Sequence, residues 1–172
     1  DTGLPRLFAG LRRDGLPLGL DAHLATHGPL PSSRGLVERV TESGLRGRGG
    51  GGFPAGRKLA AVAGGRRRPV VVVNAAEGEP VSVKDKLLLR RAPHLVLDGA
   101  ALAATALGAR DVLVATDRTA GEEVGVVSQA LDERRDLRLR WQLAVVPPGF
   151  VTGEETALVN ALEGRAAKPS FT

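Results

Sequence analysis

Apolar positions along the chain fall into short blocks of two kinds. Pro69 to Asn74 is an unbroken β-branched run, the pattern of a parallel strand buried on both faces, and Val112 to Ala115 repeats it. Leu137 to Val146 alternates at first and is then apolar throughout, which predicts a third strand. Helical periods lie between and before them. Pro93 opens a helix rich in Ala and Leu that runs to Leu107 and is closed by Gly108, and another spans about Gly121 to Arg134. Pro54 to Ala63 reads as a helix with Pro54 in its first turn and Gly64-Gly65 as its stop. Further upstream, Leu18 to His27 forms a short helix. Ser33 is placed to cap another, with Leu36, Val37 and Val40 on one face and Gly44 as its end. Leu4 to Arg13 is ambiguous between strand and loop. Strands and helices alternating at this spacing predict an α/β fold in three layers, a mainly parallel sheet with helices on both faces. The expected organisation is a single domain, with residues 1–42 as a helical lead-in and 43–172 as the core.

Composition narrows the classes. An apolar share of 42% over 172 residues suffices for a buried core, and no apolar run approaches the roughly 20 residues of a membrane-spanning helix. The chain therefore reads as cytoplasmic. Without cysteine it forms no disulfide and ligates no iron–sulfur cluster, so any cluster belongs to another segment or a partner. The absence of methionine and the ending Lys168-Pro169-Ser170-Phe171-Thr172 suggest a piece of a longer protein. A net charge of +5 permits anionic partners, with Arg66-Arg67-Arg68 the one tight basic run. Aromatic residues at 3% argue against a base-stacking platform, so nucleic-acid binding stands as the weakest alternative.

Three segments carry candidate chemistry. Gly44 to Lys58 is crowded with glycine and feeds a helix, so that its exposed N–H groups, the helix N-terminus and Lys58 would together cradle a phosphate or dinucleotide. Gly47, Gly49 and Gly52 satisfy G-x-G-x-x-G formally, but a helix precedes the loop where the dinucleotide fingerprint needs a strand. The Walker spacing of Gly51 and Gly56 is followed by Arg57-Lys58-Leu59 and fails too. A flexible linker is the alternative reading. The second segment, Asn74-Ala75-Ala76-Glu77-Gly78-Glu79-Pro80, follows the first strand at the edge where parallel sheets place ligands; it is otherwise a polar turn. The third is Gly149 to Leu158, entering a last helix that runs to about Leu162. Here Thr152 and Glu155 stand in the relation of a capping box, which by itself accounts for both. His23 and His27 lack the glutamate of a zinc-protease helix and read as a solvated helix face, so no metal is assigned. Neither a serine elbow nor a cysteine nucleophile supports hydrolase chemistry.

In their order, these segments resemble the FMN- and NADH-binding flavoprotein subunit of respiratory complex I, the NADH-quinone oxidoreductase flavoprotein family, which also includes flavin subunits of NAD-linked hydrogenases and formate dehydrogenases. The similarity runs over Ser43 to Lys58, Val70 to Leu88, Pro93 to Gly108 and Gly153 to Gly164. It implies a Rossmann-like FMN-binding domain in which Gly47, Arg48, Gly49, Gly50, Lys58, Asn74, Glu77, Phe150, Gly153, Glu154 and Glu155 surround FMN. It also implies that Phe53, Glu79, Lys168 and Phe171, with Glu155 shared, face NADH. The implied activity is NADH dehydrogenation, hydride passing to FMN and electrons onward to an iron–sulfur subunit or domain, without direct membrane insertion. No side chain is expected to act as a catalytic acid. The sequence departs from the family at Ala76, where Asp is usual, at Ala61, where an aromatic is usual, and at Pro147-Pro148-Gly149, where Gly-Ala-Gly is usual. A non-catalytic scaffold member of the family is the alternative that these departures raise.

Overall fold

The computed structural model describes residues 9–48, 51–77, 82–149 and 153–170. Three parallel strands, β1 (Val70–Ala75), β2 (Asp111–Asp117) and β3 (Arg140–Val146), lie side by side in that order. Their register aligns Val70 with Asp111 and Asp111 with Arg140, so all three strands start on one edge of the sheet and finish on the other. Parallel neighbours need crossovers, and α4 (Lys84–Arg91), α5 (Pro93–Leu107) and α6 (Gly121–Glu133) supply them. Before β1 come α1 (Leu20–His27), α2 (Leu36–Glu42) and α3 (Ala55–Ala63), and α7 (Glu155–Leu162) follows β3.

Alternation along the strands sends side chains to two covered faces. On one, Val73, Ala75, Val114, Trp141 and Leu143 pack with Leu89, Leu97 and Val127 from α4, α5 and α6. On the other, Val72, Ala115 and Val146 pack with Leu158, Ala161 and Leu162 of α7. This is the α/β sandwich that the pattern of apolar blocks predicts. Helix α5 begins at Pro93 and ends at Gly108, as its sequence requires. Gly108 takes a left-handed φ of 70°, letting the Ala109 N–H turn back onto the Ala104 carbonyl at 2.8 Å.

Several details differ from the sequence reading. The β1 valines occupy an edge strand that is only half-buried, with Val70 at 52% exposure, whereas β2 between its two neighbours is the buried strand. A β-branched run therefore marks a strand without fixing how many neighbours it has. Ser33 does not cap α2. The helix starts from Gly35 at φ 65°, a conformation that glycine adopts without strain, and Ser33 contributes its carbonyl to the Leu36 N–H. Pro54 stands one position outside α3, as its N-cap. Helix α4 has no counterpart in the sequence reading because three consecutive leucines, Leu87 exposed and Leu89 buried, obscure the helical period. It stops at Ala92, which the following Pro93 holds out of the helical region.

His23 is also not on a solvated face. It is 3% exposed, and its Nε2 lies 2.8 Å from Asp98 Oδ2 on α5. Asp98 receives a second bond, from Arg134 Nη1 at 2.7 Å, and Arg134 reaches Asp136 at 3.0 Å. Next to this cluster, His94 Nε2 meets Glu133 Oε2 at 3.0 Å. The lead-in is thus pinned to the core by the buried His23–Asp98 bond, and the Leu20 N–H adds a bond to Glu133, polar contacts that hydrophobic periodicity cannot reveal.

Candidate functional site

The Gly-rich segment folds back on itself. An antiparallel bridge joins Arg46 to Pro54, the Gly47 N–H donates to the Phe53 carbonyl at 2.9 Å, and the Ala55 N–H donates to the Leu45 carbonyl at 2.8 Å. A slack linker would not be closed at its base in this way, so the linker alternative does not hold for the two arms of the loop. Gly49 and Gly50 at its tip lie outside the described residues. Arg48 is exposed, and a Cβ placed on Gly51 would meet nothing within 4 Å. Protein packing therefore does not account for the missing side chain at Gly51. Gly56 is small for another reason. A Cβ there would come 2.7 Å from Thr41 Cα, so its lack of a side chain lets α3 close onto α2.

From this base α3 carries Lys58 towards α7, where its Nζ pairs with Glu155 Oε1 at 2.8 Å. Both groups are largely exposed, at 55% and 78%. Phe53 is exposed as well, with the Arg57 guanidinium and the Lys58 ammonium 5.7 and 5.8 Å from its ring centre.

At the carboxyl end of β1, the Asn74 amide donates to the Gly153 carbonyl at 2.8 Å, while its oxygen accepts from the Ala76 N–H at 3.3 Å. Asn74 thereby fastens the strand end to the turn before α7. Ala76 faces inward, packed with Ala115, Val146 and Leu158. The Glu77 side chain is 2% exposed. Its Oε1 receives Ser82 Oγ, and the Asp85 N–H and Lys84 Nζ lie at 3.4 Å from it. Burial pushes the Glu77 carboxyl up, but these three donors outweigh it and hold the pKa below the ordinary glutamate value. Its other oxygen, Oε2, is buried and has no hydrogen-bond partner among the described residues. Such an atom carries an unmet demand for a donor.

The approach to α7 differs from a capping box. Glu154 is the N-cap, and its Oε2 accepts from the Thr156 hydroxyl at 2.7 Å and from the N–H groups of Thr156 and Ala157 at 3.0 and 2.9 Å. The Thr156 hydroxyl and these N–H groups depress the Glu154 pKa. Glu155 is consequently the first helical residue, turned towards Lys58, and not the third residue that a Thr152 cap would make it. Past α7, the Lys168 carbonyl accepts from Asn160 Nδ2 at 2.8 Å and the Ser170 N–H donates to Thr156 Oγ1 at 2.8 Å. This brings the exposed Lys168 back alongside the same helix. Glu79, Phe150 and Phe171 lie outside the described residues.

The three segments singled out in the sequence are therefore joined: the loop helix to α7 through Lys58 and Glu155, and the first strand end to α7 through Asn74 and Gly153. A parallel α/β sheet with a glycine-rich loop and cation at its carboxyl edge is the architecture of a nucleotide-binding domain. The model of the Nuo51 FMN-binding domain matches residues 40–172, and the chain belongs to that family. It is 35% identical over 147 residues to an NADH-quinone oxidoreductase subunit of Rickettsia akari (strain Hartford), covering 78% of this chain and 35% of that protein. The mitochondrial NADH dehydrogenase (ubiquinone) flavoprotein 1 of Dictyostelium discoideum is 34% identical over 149 residues, covering 78% of this chain and 31% of that protein. Among solved structures, the air-oxidised NAD+-reducing NiFe hydrogenase superposes with a TM-score of 0.76 at 31% identity, over 82% of this chain and 25% of that one. The chain thus spans about a third of the length of the curated relatives it matches. FMN is the cofactor that defines the family. Among the described residues no helix is long and apolar enough to cross a membrane.

Proposed function

We propose that this domain holds FMN at the carboxyl edge of its sheet and presents it to NADH, as the flavin-dependent NADH dehydrogenase module of a larger electron-transfer protein. Glu77 Oε2, buried and without a partner among the described residues, carries this reading: an acceptor at the strand end with no such donor is a position for a ligand hydroxyl or ring N–H. The rest of the donor set fits a flavin nucleotide. Lys58 and the N–H groups of Arg48 to Gly50 would hold its phosphate, with Gly47 closing the loop base beneath them and the Arg48 side chain adding charge, and the open space at Gly51 admits a close approach. Asn74, by gripping the Gly153 carbonyl, fixes the turn that would carry Glu154 and Glu155 against the ring system, and Phe150 would join them there.

When bound, FMN supplies the hydride acceptor and the means of releasing electrons one at a time. The protein's own work is orientation. Phe53, flanked by Arg57 and Lys58, offers an aromatic and cationic surface to the dinucleotide, and Glu79, Lys168 and Phe171 would complete that side. Glu155 would exchange Lys58 for a ribose hydroxyl once a phosphate takes up the ammonium. The acceptor of the electrons would be an iron–sulfur subunit or domain outside this chain, which has no cysteine. Attachment to the cytoplasmic face of a membrane would run through such partners.

One observation favours a second reading, a scaffold member that has lost tight flavin binding: Ala76 is folded into the core at the position where the resemblance expects an acid facing the flavin. Titrating the purified protein with FMN, then adding NADH without oxygen, separates the two. The dehydrogenase reading expects a stoichiometric yellow complex that NADH bleaches. A protein that stays colourless in excess FMN overturns it in favour of the scaffold.

A further inference from the structure

The edge of the sheet opposite the candidate site is chemically distinct from the rest of the molecule. Because all three strands run the same way, the stretches that lead into them, residues 64–70, 108–111 and 134–140, arrive at a single rim. Together they hold eight of the chain's 24 basic residues and two of its 19 acidic ones. The remainder of the chain then carries slightly more acid than base, and the net charge of +5 is concentrated on this rim.

Little of that charge is used internally. Arg134 is buried and committed to Asp98 and Asp136, and Arg140 is clamped to Asp111 by two bonds of 2.6 Å each. With both acidic residues of the rim thus occupied, Arg66, Arg67, Arg68, Arg110 and Arg138 are exposed and make no ion pair among the described residues. Arg135 only donates to the Asp132 carbonyl. The strand entries that carry them are adjacent: the Arg140 N–H donates to the Arg110 carbonyl at 2.7 Å, and the field of Arg68 and Arg110, after that of Arg140, helps to lower the Asp111 pKa. Part of the arrangement serves folding, since α3, α5 and α6 all end at this rim and cations suit helix C-termini. Three half-charges of helix dipole do not balance five free guanidinium groups carried on the entries to three adjacent strands.

We propose that this rim is a docking surface for an acidic polypeptide. Strand spacing sets the entry points about 5 Å apart, close to the separation of carboxylates three or four residues apart on a helix. The bidentate Arg140–Asp111 pair shows on the molecule itself the geometry that the free arginines would repeat with a partner's carboxylates. Other polyanions fit less well. Among the described residues the rim presents neither a helix nor a hairpin to enter a duplex groove, and its aromatic neighbour, Trp141, is half-buried in the core with its indole N–H covered. Among the described rim residues Val70 is the one exposed large apolar side chain, and a single valine would not anchor the rim in a bilayer. The surface lies across the sheet from the flavin cleft, so the proposal stands whether or not the chain binds FMN.

The test compares the chain with the triple variant Arg67→Glu, Arg68→Glu, Arg138→Glu, and with a control of equal net charge, Arg13→Glu, Arg34→Glu, Arg39→Glu, whose positions lie in neither the rim nor the candidate site. Binding to poly-L-glutamate, to vesicles of phosphatidylglycerol and phosphatidylcholine, and to duplex DNA is measured by fluorescence anisotropy or co-sedimentation at low and physiological salt. The expected result is salt-dependent binding to polyglutamate that weakens by about tenfold or more in the rim variant and by less than about twofold in the control. Tighter binding to vesicles or DNA than to polyglutamate overturns the proposal, as does equal loss in both variants. Circular dichroism checks that the variants are folded, and the milder set Arg67→Gln, Arg68→Gln, Arg138→Gln replaces the reversal if they are not.

Discussion

Lys58 and Asn74 sit at the two seams that join α7 to the rest of the site, yet they differ in what their loss would do. The Lys58–Glu155 pair is exposed on both sides, and such pairs contribute little to folding. Lys58→Ala is therefore expected to shift the melting temperature by no more than about a degree or two, while weakening FMN binding about tenfold or more if the ammonium meets the phosphate. Asn74→Ala removes the bond to the Gly153 carbonyl and is expected to cost roughly 1 kcal/mol of stability together with flavin affinity. Denaturant melts and flavin titrations of the two variants check the contrast. Comparable destabilisation by both would mean that Lys58 is a packing residue. At this scale the sequence is informative about position and silent about partners. It marks Asn74 and Glu155 as candidate site residues, but not that the first spends its amide on Gly153 or that the second is released by Glu154 taking the cap.

Two contacts between elements make further expectations. Gly56 has no side chain because α3 presses on Thr41 of α2, so Gly56→Val forces the pair apart. A loss of about 1–3 kcal/mol is expected in urea melts, with flavin affinity falling as the loop base moves. The second concerns His94, between α5 and α6. Burial lowers its pKa, and the Glu133 carboxylate offsets this only in part. The folded state therefore favours the neutral ring. The stability it contributes is present above the unfolded value of roughly 6.5 and is lost as pH falls from there towards the folded pKa. Melting temperatures should drop between about pH 7 and pH 5, and His94→Gln should flatten that slope. An unchanged slope would show that other groups govern it. Elements are legible where period and punctuation agree, as for α5 between Pro93 and Gly108. Helix α4 is not, because Leu87, Leu88 and Leu89 cover all sides of a helix, and the edge position of β1 is not, because a valine run says nothing of its neighbours.

For the molecule as a whole, binding is linked to folding. A ligand that binds only the folded chain stabilises it by about 2.7 kcal/mol at a hundred times its dissociation constant, so FMN should raise the melting temperature progressively with concentration, and riboflavin, lacking the phosphate, should raise it less. An equal response to both would remove Lys58 and the glycine loop from the phosphate. The layered α/β plan is readable from alternating blocks because burial on two faces demands it. The polarity of the sheet's two edges is not, since it depends on which loops a parallel topology gathers together.

The tie between His23 and Asp98 reaches further than its single bond. The part of the sequence that matches the FMN-binding family begins at residue 40, but Asp98 and Arg134 in that part are covered by a helix that precedes it. Shortening the protein to the matched portion would let water in over Asp98 and leave it with Arg134 as its remaining partner, so the minimal unit of inheritance and the minimal unit of folding do not coincide here.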